Sequence, residues 1–149
     1  MTVHSERDAI DSRVLVVTID RPERRNAVDS ATAALLATTF KDFDADDSLS
    51  IAILTGSSGT FCAGADLKAM TDGDVHRIAT DGDGPMGPSR LRLRKVVIAA
   101  VEGHAVAGGM EVAGWCDLRV AAREATLGVY CRRFRAGPLS PCSSRRPRP

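Results

Sequence analysis

The chain has no excess charge of either sign, no long apolar run and no paired-cysteine motif, and each absence removes a class of function. Twenty Lys plus Arg against 19 Asp plus Glu leave a formal charge of +1. No general attraction to nucleic acid or to an anionic membrane is expected from that balance. The apolar run Val96 to Val101 is six residues long, far short of the roughly 18 to 20 that cross a bilayer as a helix. Met1 to Asp8 mix His, Glu, Arg and Asp and lead into no apolar segment or small-residue cleavage site, so no secretory signal and a cytoplasmic location are expected. Cys62, Cys116, Cys131 and Cys142 form no Cys-x-x-Cys pair, and His4, His76 and His104 lack metal-ligand spacing. Reduced thiols and no bound metal are the expectation.

What is present is enough for one domain. The 149 residues are 44% hydrophobic and 26% charged, and a chain of that length hides about 70% of its unfolded surface. The charge is uneven: residues 1–134 hold 16 basic and 19 acidic side chains, whereas Arg135 to Pro149 hold four Arg and no acid. That last segment also contains four of the seven prolines, with Leu139 its one sizeable aliphatic residue. Such a composition cannot offset its ordering entropy, which predicts a domain over 1–134 and a disordered Arg/Pro/Ser-rich tail over 135–149. A basic segment with a binding role is the alternative. Thr80 to Pro88 (TDGDGPMGP) reads as a mobile loop.

Between these punctuations strands and helices alternate. Val14 to Ile19 is a β-branched run stopped at Asp20-Arg21-Pro22, which predicts a strand. Asp29 or Ser30 can cap a helix in which Leu35, Leu36, Phe40 and Phe43 recur at helical spacing. Ile51 to Thr55 and Val96 to Val101 read as further strands, followed by glycine-rich loops and, after the second, a helix from about Gly109 to Cys116; Asp117 to Ala122 starts another strand. This rhythm predicts an α/β domain with parallel crossovers, and the unalternated Val, Ile and Ala runs suit strands covered on both faces.

Chemistry is expected where strands end in loops of small residues. Phe61 to Lys68 (FCAGADLK) and Gly103 to Glu111 (GHAVAGGME) let a ligand approach the backbone, and a helix N-terminus leaves amides without intrahelical partners. Two such loops can aim two amides at one oxygen, the requirement of an oxyanion hole. Taken singly, each glycine loop also fits a purely geometric role. Glu111, in the first turn of a helix with no other charge, either complements the helix dipole or faces an apolar cavity as a general acid/base.

Three segments together, Ile19 to Ala27 (IDRPERRNA), Phe61 to Leu67 (FCAGADL) and Ala107 to Arg119 (AGGMEVAGWCDLR), resemble in order and separation the signatures of the crotonase (enoyl-CoA hydratase/isomerase) superfamily. The resemblance covers roughly Val14 to Phe134. It implies a spiral core of repeated ββα units and an acyl-CoA thioester as substrate, coenzyme A entering as part of that substrate and not as a separate cofactor. It implies the amides of Ala65 and Gly108 as oxyanion donors and Glu111 as a catalytic carboxylate. Arg25, Asn26 and Ala27 match the loop flanking the CoA nucleotide, and Ala63, Asp66 and Leu67 the segment that holds the adenine end. Lys68 suits a phosphate or, equally, a solvated surface.

The second glutamate of a hydratase falls where Cys131 stands, and a thiol of pKa about 8.5 is a poor substitute for that carboxyl. A small apolar pocket residue is the alternative role for Cys131. The resemblance also implies further ββα turns and C-terminal helices that complete the pocket and pack subunits as trimers. A core cut short before that helical region, a frameshifted segment from Arg135 onward, impaired oligomerisation and loss of activity are therefore expected. Two other classes are weighed. A dinucleotide-binding domain is disfavoured because no Gly-x-Gly-x-x-Gly follows Val14 to Ile19, and a non-catalytic CoA-binding fragment stands as the alternative to an enzyme of fatty acid metabolism.

Overall fold

The structure is a computed structural model and describes residues 1–74 and 81–130. Its elements in chain order are β1 (Val3–Arg7), β2 (Val14–Ile19), α1 (Ser30–Ala45), β3 (Ile51–Gly56), α2 (Leu67–Thr71), β4 (Val96–Val101), β5 (His104–Val106), α3 (Gly108–Trp115), β6 (Leu118–Ala121) and β7 (Thr126–Gly128), with short 3-10 turns at Pro22–Arg24 and Pro88–Arg90. Asp29, and not Ser30, caps α1, its carboxylate accepting from the Thr32 amide at 2.8 Å. Thr32, Leu36, Phe40 and Phe43 then fall on one buried face at the expected spacing. Leu35 lies off that face and is 38% exposed.

The β-branched runs pair in parallel as β2-β3-β4-β6, and β1 closes one edge antiparallel, with Val3 opposite Ile19. Parallel neighbours require crossovers, and α1, α2 and α3 lie within them. Val17, Ile19, Leu54, Val97 and Val101 share one core cluster with Leu36, Phe40 and Phe43 of α1. The edge of Trp115 meets Phe40 at 5.0 Å between ring centroids, and its indole N–H donates to the Leu91 carbonyl at 2.9 Å. That pair joins α3 to α1 with about 0.5–1.5 kcal/mol beyond area burial.

The expectation of strands covered on both faces requires correction. In β4 buried and half-buried residues alternate, and on the second face Val16, Ile53 and Ile98 are half-buried while Leu118 and Val120 are 56% and 66% exposed. Among the described residues one face is buried at Val17, Ile19, Ala52, Leu54, Val97, Ala99 and Val101, while β6 is exposed along its whole length. Unalternated apolar sequence therefore marks strands whose second face is apolar, whether or not described residues cover it.

A second, smaller stack of extended segments runs beside the main sheet. Val28 bridges Ala65, Cys62 bridges Ala105, and β5 pairs with β7, all in parallel. Each turn of chain thus contributes a sheet strand, a short extended piece and, in the first three turns, a helix. This is the repeated ββα winding expected from the resemblance. The short segments β1, β5 and β7 were not expected, because five or three residues with mixed polarity carry no periodic signal.

The glycine-rich loop at 80–88 is a second correction. Of its described part, Gly84 to Pro88 are buried, and Gly84 and Gly87 exchange backbone hydrogen bonds at 2.8 and 3.0 Å. A side chain on Gly87 would stand 2.4 Å from the Ala33 carbonyl oxygen, so only glycine lets this segment lie on α1. Met86 is thereby driven inward to 0% exposure. Glycine here serves close packing, not mobility.

Candidate active site

Two loops carry the sequence-predicted residues, and backbone hydrogen bonds hold them together. Arg25 and Asn26 both adopt positive φ, 52° and 56°, which turns the chain after the Pro22–Arg24 turn. The returning segment then pairs with the first glycine loop: Ala63 N donates to Arg25 O at 3.1 Å, Val28 N to Gly64 O at 2.8 Å and Asp66 N to Val28 O at 2.8 Å. On its other side the loop meets β5, with Cys62 N donating to His104 O at 2.9 Å and Val106 N to Cys62 O at 3.1 Å. The first loop is clamped from both flanks.

The second loop turns at Ala107, a non-glycine residue with φ of 51° that precedes α3 and offers no capping side chain. Ala107 N is used by Gly128 O, and Ala107 O accepts from Met110 N and Glu111 N. Among the described residues, neither the Ala65 amide nor the Gly108 amide donates in a backbone hydrogen bond. They belong to touching loops. A Cβ built on Gly64 would lie 3.0 Å from Gly108 N, and one built on Gly109 would lie 2.1 Å from Cys62 O. The two glycine loops, each ambiguous alone, converge.

Glu111 follows in the first turn of α3, half-buried, with its Oε2 atom enclosed by protein. Met86 lies behind Gly108, where its sulfur would be 2.7 Å from an added Cβ. Sequence reasoning missed this residue, since nothing local says that a Gly/Pro segment will fold under a loop distant in sequence.

The residues expected at coenzyme A divide into two groups. Arg25, Leu67 and Lys68 are exposed and Ala63 is half-exposed, so all four are accessible beside the loop. Asn26, Ala27 and Asp66 are buried, and their polar groups work inside the protein. Asn26 accepts from Arg21 N at 2.8 Å and donates to the carbonyls of Ser57 and Thr60 at 2.9 and 2.6 Å. Each polar atom of that side-chain amide is therefore engaged within the protein. Asp66 caps α2, accepting from Lys68 N and Ala69 N at 3.1 Å each, and receives Arg21 at 3.0 Å. Burial works to raise the Asp66 pKa, but the Ala69 amide and the Arg21 guanidinium outweigh it and hold the carboxyl below its ordinary range.

Burial pushes the Cys62 thiol up to about 12, so at neutral pH it stays protonated and unreactive. Cys62 and Cys116 are both buried. Among the described residues no group of His, Cys, Asp and Glu is arranged to hold a metal ion, and no helix is long and apolar enough to cross a membrane. Cys131, His76 and the segment 135–149 lie outside the described residues.

A parallel spiral of ββα turns is the architecture of the crotonase superfamily. Residues 9–137 match the enoyl-CoA hydratase/isomerase family, and the chain belongs to it. It is 41% identical over 141 residues to the enoyl-CoA hydratase EchA19 of Mycobacterium tuberculosis, covering 86% of this chain and 51% of that protein. It is 40% identical over 118 residues to the mevalonyl-coenzyme A hydratase sidH of Aspergillus fumigatus, covering 78% of this chain and 44% of the relative. The crystal structure of enoyl-CoA hydratase EchA1 from Mycobacterium marinum superposes with a TM-score of 0.83 at 41% identity, over 92% of this chain and 52% of that one. The chain spans about half the length of the curated relatives it matches.

Proposed function

We propose that this site takes an acyl-CoA thioester and stabilises its enolate, with hydration or isomerisation of an enoyl-CoA as the reaction. The observation that carries the proposal is the pair of open amides, Ala65 and Gly108, on loops that touch at Gly64. Both donors are fixed before a ligand arrives, so they cost no reorganisation when charge develops on the thioester oxygen, and one such donor contributes roughly 10² to 10³ in rate. Arg25, Ala63, Leu67 and Lys68, accessible beside the first loop, are in this reading the residues that hold the coenzyme A portion.

Glu111 supplies the proton transfer. In hydration it takes a proton from water as the water oxygen bonds to the β-carbon, and it returns that proton to the α-carbon as the enolate collapses back to the thioester. In isomerisation the same carboxylate removes a proton from one carbon and returns it to another, so one acid/base group suffices. The relatives named hydratases favour hydration; Cys131, at the position the resemblance gives to a second carboxylate, favours isomerisation. We place this activity in the cytoplasm and in fatty acid metabolism. A non-catalytic CoA-binding role is the second reading, also favoured by Cys131.

The test is an assay of purified protein with crotonyl-CoA and with a β,γ-unsaturated acyl-CoA, run beside size-exclusion chromatography and calorimetric titration of CoA. Turnover of either ester supports the enzyme reading, and the ester consumed names the reaction. Folded protein that binds CoA without turnover establishes the second reading. Folded protein that binds neither overturns both.

A further inference from the structure

Arg21 precedes a proline and reads in the sequence as part of a strand terminator, yet it is 9% exposed and its guanidinium meets three acceptors. Nη1 donates to the Ala27 carbonyl, and Nη2 lies 2.8 Å from Asp29 Oδ2 and 3.0 Å from Asp66 Oδ2. The two carboxylates are the N-caps of α1 and α2. Ala27 and Asp29 flank Val28, and Asp66 follows Ala65. One planar group therefore grips both neighbours of Val28 and the residue next to the proposed oxyanion donor.

Val28 in turn determines where the Ala65 N–H points. Val28 N donates to Gly64 O, and in a trans peptide the C=O of residue 64 and the N–H of residue 65 point in opposite directions. Binding the Gly64 carbonyl toward Val28 thus aims the Ala65 amide away from it. Asp66 N, donating to Val28 O, fixes the peptide on the other side. Rotation of the 64–65 peptide would break the first bond, and loosening of Val28 would release both.

From this arrangement we infer that Arg21 is a positioning residue for the oxyanion donor, setting the direction of the Ala65 amide through Val28 and the two helix-capping carboxylates. The inference rests on the reading of Ala65 as a donor to a thioester carbonyl. Lysine keeps the charge but not the fork, and it cannot serve the Ala27 carbonyl and both carboxylates in the same plane. A role limited to charge balance is rescued by Arg21→Lys; a role in aiming the peptide is not.

The experiment compares wild type, R21K and R21M by steady-state kinetics with the ester that wild type consumes, and by infrared spectroscopy of bound butyryl-CoA isotope-labelled at its thioester carbonyl. Hydrogen bonds from the oxyanion donors lower that carbonyl stretch, and the measurement needs no turnover. R21K is expected to lower kcat by about tenfold or more, since a small misplacement of a catalytic group carries losses of that order. KM is expected to stay within about twofold and part of the carbonyl shift to be lost. R21M is expected to lose more, or to fail to fold, in which case R21K decides. An unshifted carbonyl in folded wild type overturns the oxyanion reading and this inference with it. A shifted carbonyl in wild type that is unchanged in R21K, with kcat also unchanged, overturns the positioning role alone.

Discussion

A Cβ placed on Gly64 would stand 3.0 Å from the Gly108 amide nitrogen, so the loops bearing Ala65 and Gly108 meet at backbone distance. Gly64 also has φ of +100°, a conformation that side chains rarely adopt. Gly64→Ala therefore strains its own backbone and presses on the second loop. Urea unfolding should show a loss of about 1–3 kcal/mol. Under conditions where the variant is folded, its kcat should fall further than its CoA affinity.

Glu111→Gln keeps the shape of the side chain and removes its capacity to carry a proton. Turnover of the enoyl-CoA ester should fall by about 10² to 10⁴, while calorimetric binding of CoA stays. Unchanged turnover would refute the acid/base role of Glu111.

Asp66 supplies a pH dependence whose sign follows from its lowered pKa. A carboxyl held below the range of its unfolded counterpart contributes its full stability above the unfolded pKa of about 3.9 and loses it as pH falls through the folded value. Thermal melts of wild type should therefore weaken on acidification below about pH 4. Asp66→Asn should cost about 2–4 kcal/mol at neutral pH, because Arg21 is left with one fewer charged partner in a buried place. The two proteins should converge at acid pH, and parallel curves would show that Asp66 does not titrate with folding.

The Cys62 thiol, held near 12 by burial, should resist alkylation in the folded state at pH 8. A brief iodoacetamide pulse followed by peptide mapping should leave the Cys62 peptide unmodified until denaturant is added. Rapid labelling in native buffer would mean that the loop at 61–66 opens readily.

Much of the framework is legible because it is local. The α1 helix follows from an Asp cap and an apolar stripe, the parallel strands from β-branched runs, and the three signature segments from short contiguous motifs that resemble those of the family. Glu111 and the two small-residue loops were recognisable for the same reason. The hydrogen bonds of Asn26 were not legible, because a motif position says that a residue matters without saying what its side chain touches. Its partners, Ser57 and Thr60, lie 31 and 34 positions further along the chain.

The sequence by itself thus determined the α1 helix, the strand runs of β2, β3, β4 and β6, and which loops are small enough to admit a ligand to the backbone. Only the tertiary structure decided that the 84–88 segment is buried under the second loop, that three-residue strands stack into a second sheet, and that Arg21 joins Ala27, Asp29 and Asp66. The physical reason is range. Capping and periodicity act within a few residues, whereas a buried guanidinium finds its second carboxylate 45 positions away only after the winding of the chain has brought the loops together.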